Sequence, residues 1–127
     1  MKSLQKVLKI SARYAFKKLR SVSPYFCGAL GEKVHVTRIF WNHINFAKER
    51  SLQDSLERLS MFPLLEIIIK RGTVVSSDEI FTKMCFEEFG VEFLIIILKD
   101  SYKHVLLSCF IRHNKKTLCL SPLGPQA

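Results

Sequence analysis

The sequence contains no uninterrupted apolar run long enough to cross a bilayer; the longest, Phe93 to Leu98, is far short of the roughly 20 residues that a spanning helix requires. It also lacks a Gly-rich phosphate loop and the HExxH, GxSxG and EF-hand patterns, which removes P-loop nucleotide hydrolysis and zinc proteolysis from the functions to weigh. No CxxC pair is present. Cys27, Cys85, Cys109 and Cys119 lie in apolar surroundings and read as small buried hydrophobes, which suits a reducing compartment. A zinc site built from Cys109, His113 and Cys119 matches no finger spacing, so neither a metal nor a cofactor is expected. Negative charge is missing locally: residues 1–22 hold no acid at all.

What those residues do hold is Lys2, Lys6, Lys9, Arg13, Lys17, Lys18 and Arg20. The chain of 127 residues carries a formal charge of +9, and this arm supplies nearly all of the surplus. A concentrated block of cations draws phosphate backbones or anionic lipid by steering and counterion release; the alternative is a plain solvated helix face. The start is basic, Ser-containing and acid-free like a transit peptide, but no apolar signal core or small-residue cleavage pattern follows. A cytoplasmic location is expected, with organelle import as the alternative. The length is that of one domain, and 48% hydrophobic against 24% charged residues is globular composition.

Within Lys2 to Val22, Leu4, Leu8, Ala12, Ala15 and Leu19 recur at spacings of four and three, so the arm is predicted to be an amphipathic helix, ended by Ser23-Pro24. Pro24 to Glu32, with Gly28 and Gly31, is expected as a loop between arm and body. Val34 and Val36 alternate in a short strand over 33–37. Thr37 then caps a helix reaching about Arg50, and Ser51 caps the next, with Leu52, Leu56 and Leu59 as its buried stripe and Asp54 with Arg58 as an i,i+4 pair. Pro63 restarts a helix that Gly72 stops. Between Thr73 and Gly90 two readings stay open, a short helix opened by Ser77-Asp78-Glu79 or an edge strand at Thr73 to Val75. Val91 to Leu98 reads as a buried strand, Lys99 to Lys103 as a turn, Val105 to Ile111 as the hairpin partner and Thr117 to Ser121 as a third strand. The expected fold is α+β, with N-terminal helices packed on a curved, three- to four-stranded antiparallel sheet. It divides into a basic amphipathic helix over 1–22, a single α+β domain over 23–121 and a frayed tail over 122–127.

Two groups of residues carry chemistry. His43, Ala47 and Arg50 fall at i, i+4 and i+7 on one helix face. An imidazole that takes a proton near neutral pH, beside a guanidinium that grips phosphate, is a workable start for cleaving a phosphodiester. The alternative is a half-buried His43 and a solvated Arg50 at a helix C-terminus, where a cation is favourable in any case. The second group is Tyr102 and His104 at the hairpin turn, then Ser108, Phe110 and Arg112 on one strand face by period two. If that face meets the His43 helix, Ser108 and Arg112 complete an anion site; otherwise Arg112 to Lys116 is a solvated turn.

A strand, the Thr37 cap, His43-Ile44, a spaced Arg50, helices with Pro63 before an isoleucine-rich segment, and a paired meander ending in the Ser108 strand together resemble the phage-type members of the barnase, EndoU, colicin and RelE superfamily of ribonuclease toxins. The resemblance covers roughly residues 33–121. It departs from the family pattern after Gly72, where Thr73-Val74-Val75 stands in place of a proline-led turn. It implies metal-free RNA cleavage, in which the ribose 2′-hydroxyl attacks its own phosphate. It further implies His43 as base or acid, Arg50 as phosphate clamp, Ser108 as positioning hydroxyl and Arg112 as a further cation. The partners implied are RNA and an acidic antitoxin or immunity protein. From another class comes a non-catalytic interaction or adaptor module, whose basic helix docks on a protein groove, an anionic membrane or nucleic acid. A DNA-binding helix-turn-helix fits poorly, because Ser51 to Gly72 is rich in buried-type Ile and Leu and poor in base-reading residues.

Overall fold

Each helix begins or ends where a side chain or a close neighbour satisfies free backbone groups. In the computed structural model, which describes residues 2–46, 50–100 and 102–113, α1 spans Lys2–Val22. Its last turn is closed by Tyr25, whose hydroxyl donates to the Leu19 carbonyl at 2.7 Å. Ala12, Phe16 and Leu19 lie on its buried side. The second helix, α2, spans Arg38–Phe46, and the Thr37 hydroxyl accepts from Ile39 N at 3.2 Å. Ser51 caps α3 (Leu52–Ser60) by accepting from Asp54 N at 3.0 Å. Pro63 sits in a 3-10 turn, Phe62–Leu64, that leads into α4 (Leu65–Arg71).

The strands are β1 (Tyr25–Cys27), β2 (Glu32–His35), β3 (Thr73–Ser77), β4 (Phe81–Glu88), β5 (Val91–Asp100) and β6 (Lys103–His113). They form one curled sheet in the order β1-β2-β6-β5-β4-β3. The α+β class and the helices-on-sheet arrangement stand, but the sheet has six strands where three to four were expected, and it is mixed. Every neighbouring pair is antiparallel except β2 with β6, which run parallel through Val34↔His104 and His35↔Val105. The extra strands escaped the sequence for physical reasons. The three-residue β1 lies in the stretch read as a loop and is too short to show an alternation. All of β3 is exposed, so of the two open readings the edge strand holds although no inward-facing pattern marks it. The expected strand at Thr117 to Ser121 lies outside the described residues.

The β4–β5 connection is a two-residue turn, Phe89-Gly90, with positive φ at both positions, 51° and 77°. That twist suits a hairpin and favours glycine or asparagine, so the almost fully exposed Phe89 is an unusual occupant. In β6 the register against β5 shifts between Ile96 and Ile97, leaving Leu107 as a bulge. Leu106 and Cys109, three positions apart, therefore both face the helices, while Ser108 and Phe110 face the other way. The core lies between the helices and this sheet face, where Phe40, Met61, Leu65, Ile68 and Ile69 meet Met84, Ile95 and Ile97. Each such side chain contributes about 1.5–3 kcal/mol by leaving water.

Gly72 lets α4 turn directly into β3. A methyl group there would lie 2.6 Å from the Ile68 carbonyl oxygen and 3.2 Å from that of Cys85, both backbone atoms. Gly72→Ala is therefore expected to destabilise the fold by about 1–3 kcal/mol, as overpacking does. A urea midpoint equal to that of the parent would show that α4 and β4 are not held this close.

Candidate functional site

Two concave regions flank α2. Successive helix residues turn by about 100°, so Trp41 and His43 project roughly 160° apart, onto opposite flanks. On the Trp41 side, α1 and α2 bound a groove of about 440 Å³ lined by Arg13, Phe16, Lys17, Arg20, Ser21, Arg38 and Trp41. Four of these seven are cations and none is an acid. Among the described residues, none of the four cations is paired with a carboxylate. The floor is aromatic: Phe16 stacks on Trp41 with centroids 5.3 Å apart, and Phe62 meets Trp41 edge-on at 5.8 Å. A half-buried indole beneath unpaired guanidinium groups offers a π-face and phosphate partners together.

On the other flank, Asp54 organises the corner where α2, α3 and β6 meet. Its carboxylate accepts from Arg58 Nε at 2.9 Å and pairs with Arg50 Nε at 3.4 Å. Arg58 reaches on to β6, donating from one terminal nitrogen to the Ser108 hydroxyl and to the Cys109 carbonyl, both at 3.0 Å. Its guanidinium also lies 5.8 Å from the centre of the Phe110 ring. Arg50 donates to the His43 and Ile44 carbonyls at 3.0 and 2.6 Å, and so covers the open C-terminal carbonyls of α2.

Beyond this corner lies a cavity of about 350 Å³ lined by His43, Ser76, Asp78, Phe81, Lys83, Ile96, Leu107 and Ser108. The curl of the sheet brings Ser76 of β3 and Ser108 of β6 to the same hollow although two strands separate them. The His43 ring has no hydrogen-bond partner among the described residues. Partial burial, then the charges of Arg50 and Arg58, hold its pKa below the ordinary histidine value. Asp78 is committed elsewhere: its carboxylate accepts from Ile80 N and Phe81 N, both at 2.8 Å, and those bonds hold its pKa down.

Of the four residues singled out for chemistry, His43 and Ser108 share this cavity. Arg50 and Arg112 do not line it. Arg50 is only 11% exposed and is engaged with Asp54 and the helix end. Arg112 lies four positions along β6 from Ser108, about 13 Å of strand, and pairs with Glu92 at 2.7 Å. That pairing raises the Arg112 pKa and lowers that of Glu92. The other expected face, Ser108, Phe110 and Arg112, does lie on one side of β6. Lys83, which stands 5.9 Å from the centre of the Phe110 ring, and Arg58 were missed. Only the i,i+4 spacing of Arg58 to Asp54 is visible locally, and nothing local to Lys83 foretells three strands curling it toward His43.

Within the arm, Arg13, Lys17 and Arg20 enter the groove, joined by Arg38, which the sequence reading did not single out. Lys6, Lys9 and Lys18 are exposed on α1 away from it, and the Lys2 side chain lies outside the described residues. Cys27, Cys85 and Cys109 are free and buried, and burial pushes the Cys109 thiol up to about 12. Ala47 and Cys119 lie outside the described residues. Among those described, no three His, Cys, Asp or Glu side chains converge as metal ligands. Nor is any helix long and apolar enough to cross a membrane. No family model, curated protein or solved structure matches the chain.

The depressed His43 pKa has a definite sign in stability. Between the lowered folded value and the ordinary 6.5, the unfolded chain binds a proton that the folded chain does not. Stability should therefore rise with pH through that window and gain nothing further from this group above it. The expected outcome is an NMR titration of His43 below the ordinary value, and a drop in urea midpoint from about pH 7.5 to pH 5 that shrinks in His43→Gln. An equal drop in both proteins would place the cause elsewhere.

Proposed function

We propose that this protein binds RNA, with the phosphate backbone in the α1–α2 groove and a base on the Trp41 face. The observation that carries this reading is the grouping of Arg13, Lys17, Arg20 and Arg38, unopposed by any acid, around a stacked aromatic floor. Carboxylates elsewhere in the fold neutralise the cations near them: Asp54 takes Arg50 and Arg58, Glu66 takes Lys70 and Glu92 takes Arg112. Unpaired cations release counterions when they meet phosphates, and a sequence-tolerant stacking surface suits an unpaired strand. An acidic antitoxin or immunity protein would occupy the same cations in competition with RNA.

The test is fluorescence anisotropy with a short single-stranded RNA across a salt series. Arg13→Ala/Arg38→Ala should weaken binding roughly tenfold and reduce the log–log salt slope by about 0.7 per cation removed. Unchanged affinity and slope would overturn the groove as the binding site.

A second reading, RNA cleavage without a metal, is favoured by one observation: the unpartnered His43 ring shares a cavity with Lys83 and Ser108. In that reaction His43 takes the proton of a ribose 2′-hydroxyl, the oxygen bonds to its own phosphorus, and the bond to the 5′ oxygen breaks as that oxygen takes a proton from solvent water. Lys83 offsets the charge gathering on phosphorus, and Ser108, fixed by Arg58, positions a phosphate oxygen. Arg50 and Arg112 have no part in it. Purified protein incubated with RNA and a chelator should cleave it, and His43→Ala should lower the rate by at least about a hundredfold while leaving RNA affinity intact. Equal rates for parent and variant would remove the cavity from the chemistry.

A further inference from the structure

We infer that the outward face of α1 is a docking surface for an anionic lipid bilayer, an interaction separate from the α1–α2 groove. The helix has three faces. Ala12, Phe16 and Leu19 are buried against the body. Arg13, Lys17 and Arg20 turn toward α2. On a third face, Leu4, Val7, Ile10 and Tyr14 are 49%, 61%, 66% and 70% exposed. Their spacings of three, three and four put them within about 120° of one another around the axis, so they form one continuous stripe. A single exposed aliphatic residue needs no explanation, whereas four in one line on a single helix do.

The margins of the stripe decide what covers it. Lys6, Arg13 and Lys17 run along one side, Lys18 follows Tyr14 one turn on at the C-terminal end of the stripe, and the helix holds no acid anywhere. The occupant must therefore bury aliphatic surface and tolerate, or welcome, a dense positive border. A second copy of the chain would bury the stripe against its own but fails the second condition, because two such helices face to face bring their lysines and arginines together. An RNA strand satisfies the cations and leaves the aliphatic stripe in water. The boundary between headgroups and acyl chains of an anionic bilayer satisfies both: the apolar stripe sinks in, the lysine and arginine stems reach up to the phosphates, and Tyr14 has the amphipathic ring favoured at that depth. At 21 residues α1 is about 31 Å long and lies along such a surface without crossing it.

The full chain is tested by co-sedimentation with vesicles of phosphatidylcholine alone and of phosphatidylcholine with about one third phosphatidylglycerol. Binding to the anionic vesicles is expected, with an affinity at least about tenfold lower for the zwitterionic ones. Val7→Gln/Ile10→Gln changes only exposed positions, so it should keep the parent's melting curve and RNA affinity while losing vesicle binding by roughly tenfold or more. Three outcomes overturn the inference. One is failure to sediment with anionic vesicles. Another is vesicle binding by the double variant equal to the parent's, which reduces the contact to charge alone. The third is a concentration-dependent dimer that the double variant abolishes, which assigns the stripe to a second copy. None of these bears on the groove, whose RNA binding is read separately from the Arg13→Ala/Arg38→Ala pair.

Discussion

The corner formed by α2, α3 and β6 depends on one carboxylate. Asp54 holds two guanidinium groups at once, and each does something the fold needs: Arg50 covers the carbonyl end of α2, and Arg58 ties α3 to the middle of β6. Their side chains are only 11% and 16% exposed, so neither charge is well solvated and each leans on its partners. Removing one member of such a set leaves the others poorly compensated, which is why partly buried ion networks are sensitive to single changes. The same cluster sets the environment of His43, since the two nearby cations disfavour a third positive charge on its ring.

This arrangement separates cations with a structural duty from cations that are free. Arg50, Arg58 and Arg112 are bound to carboxylates, carbonyls or a hydroxyl, and a phosphate would have to displace those bonds to reach them. The arginines and lysine at the α1–α2 groove have no such competitors among the described residues. A formal charge of +9 is therefore not spread evenly in its availability. The groove and the outward stripe of α1 lie on either side of one row of cations on the helix, in which Arg13 and Lys17 border both.

Much of this was readable from the residues, and the failures have a common cause. The span of α1, the Thr37 and Ser51 caps, the Asp54–Arg58 pair, the stop at Gly72 and the buried character of Cys27, Cys85 and Cys109 all follow from local chemistry within a turn or two of chain. The β5–β6 hairpin was legible because both strands are long and rich in apolar residues. What was not legible required contacts distant in sequence: the parallel β2–β6 pair, the three-residue β1, the exposed β3 edge, and the curl that brings Lys83 to the same cavity as His43. Arg50 shows the limit most clearly. Its spacing from His43 did signal proximity, but the contact is with the His43 backbone carbonyl and not with a shared ligand.

The parallel pairing of β2 with β6 has a consequence for how the chain assembles. Strands β3 to β6 form a meander of neighbours joined by short turns, and such local pairings close quickly. Strand β2 finds its partner only after three helices and four strands have been made, because β6 is the last element among the described residues. On the ribosome, β1 and β2 thus emerge early and wait. The basic first helix waits less long, because it packs on α3 and the Phe62–Leu64 turn; until those emerge, its three faces are all open to chaperones, nucleic acid or lipid.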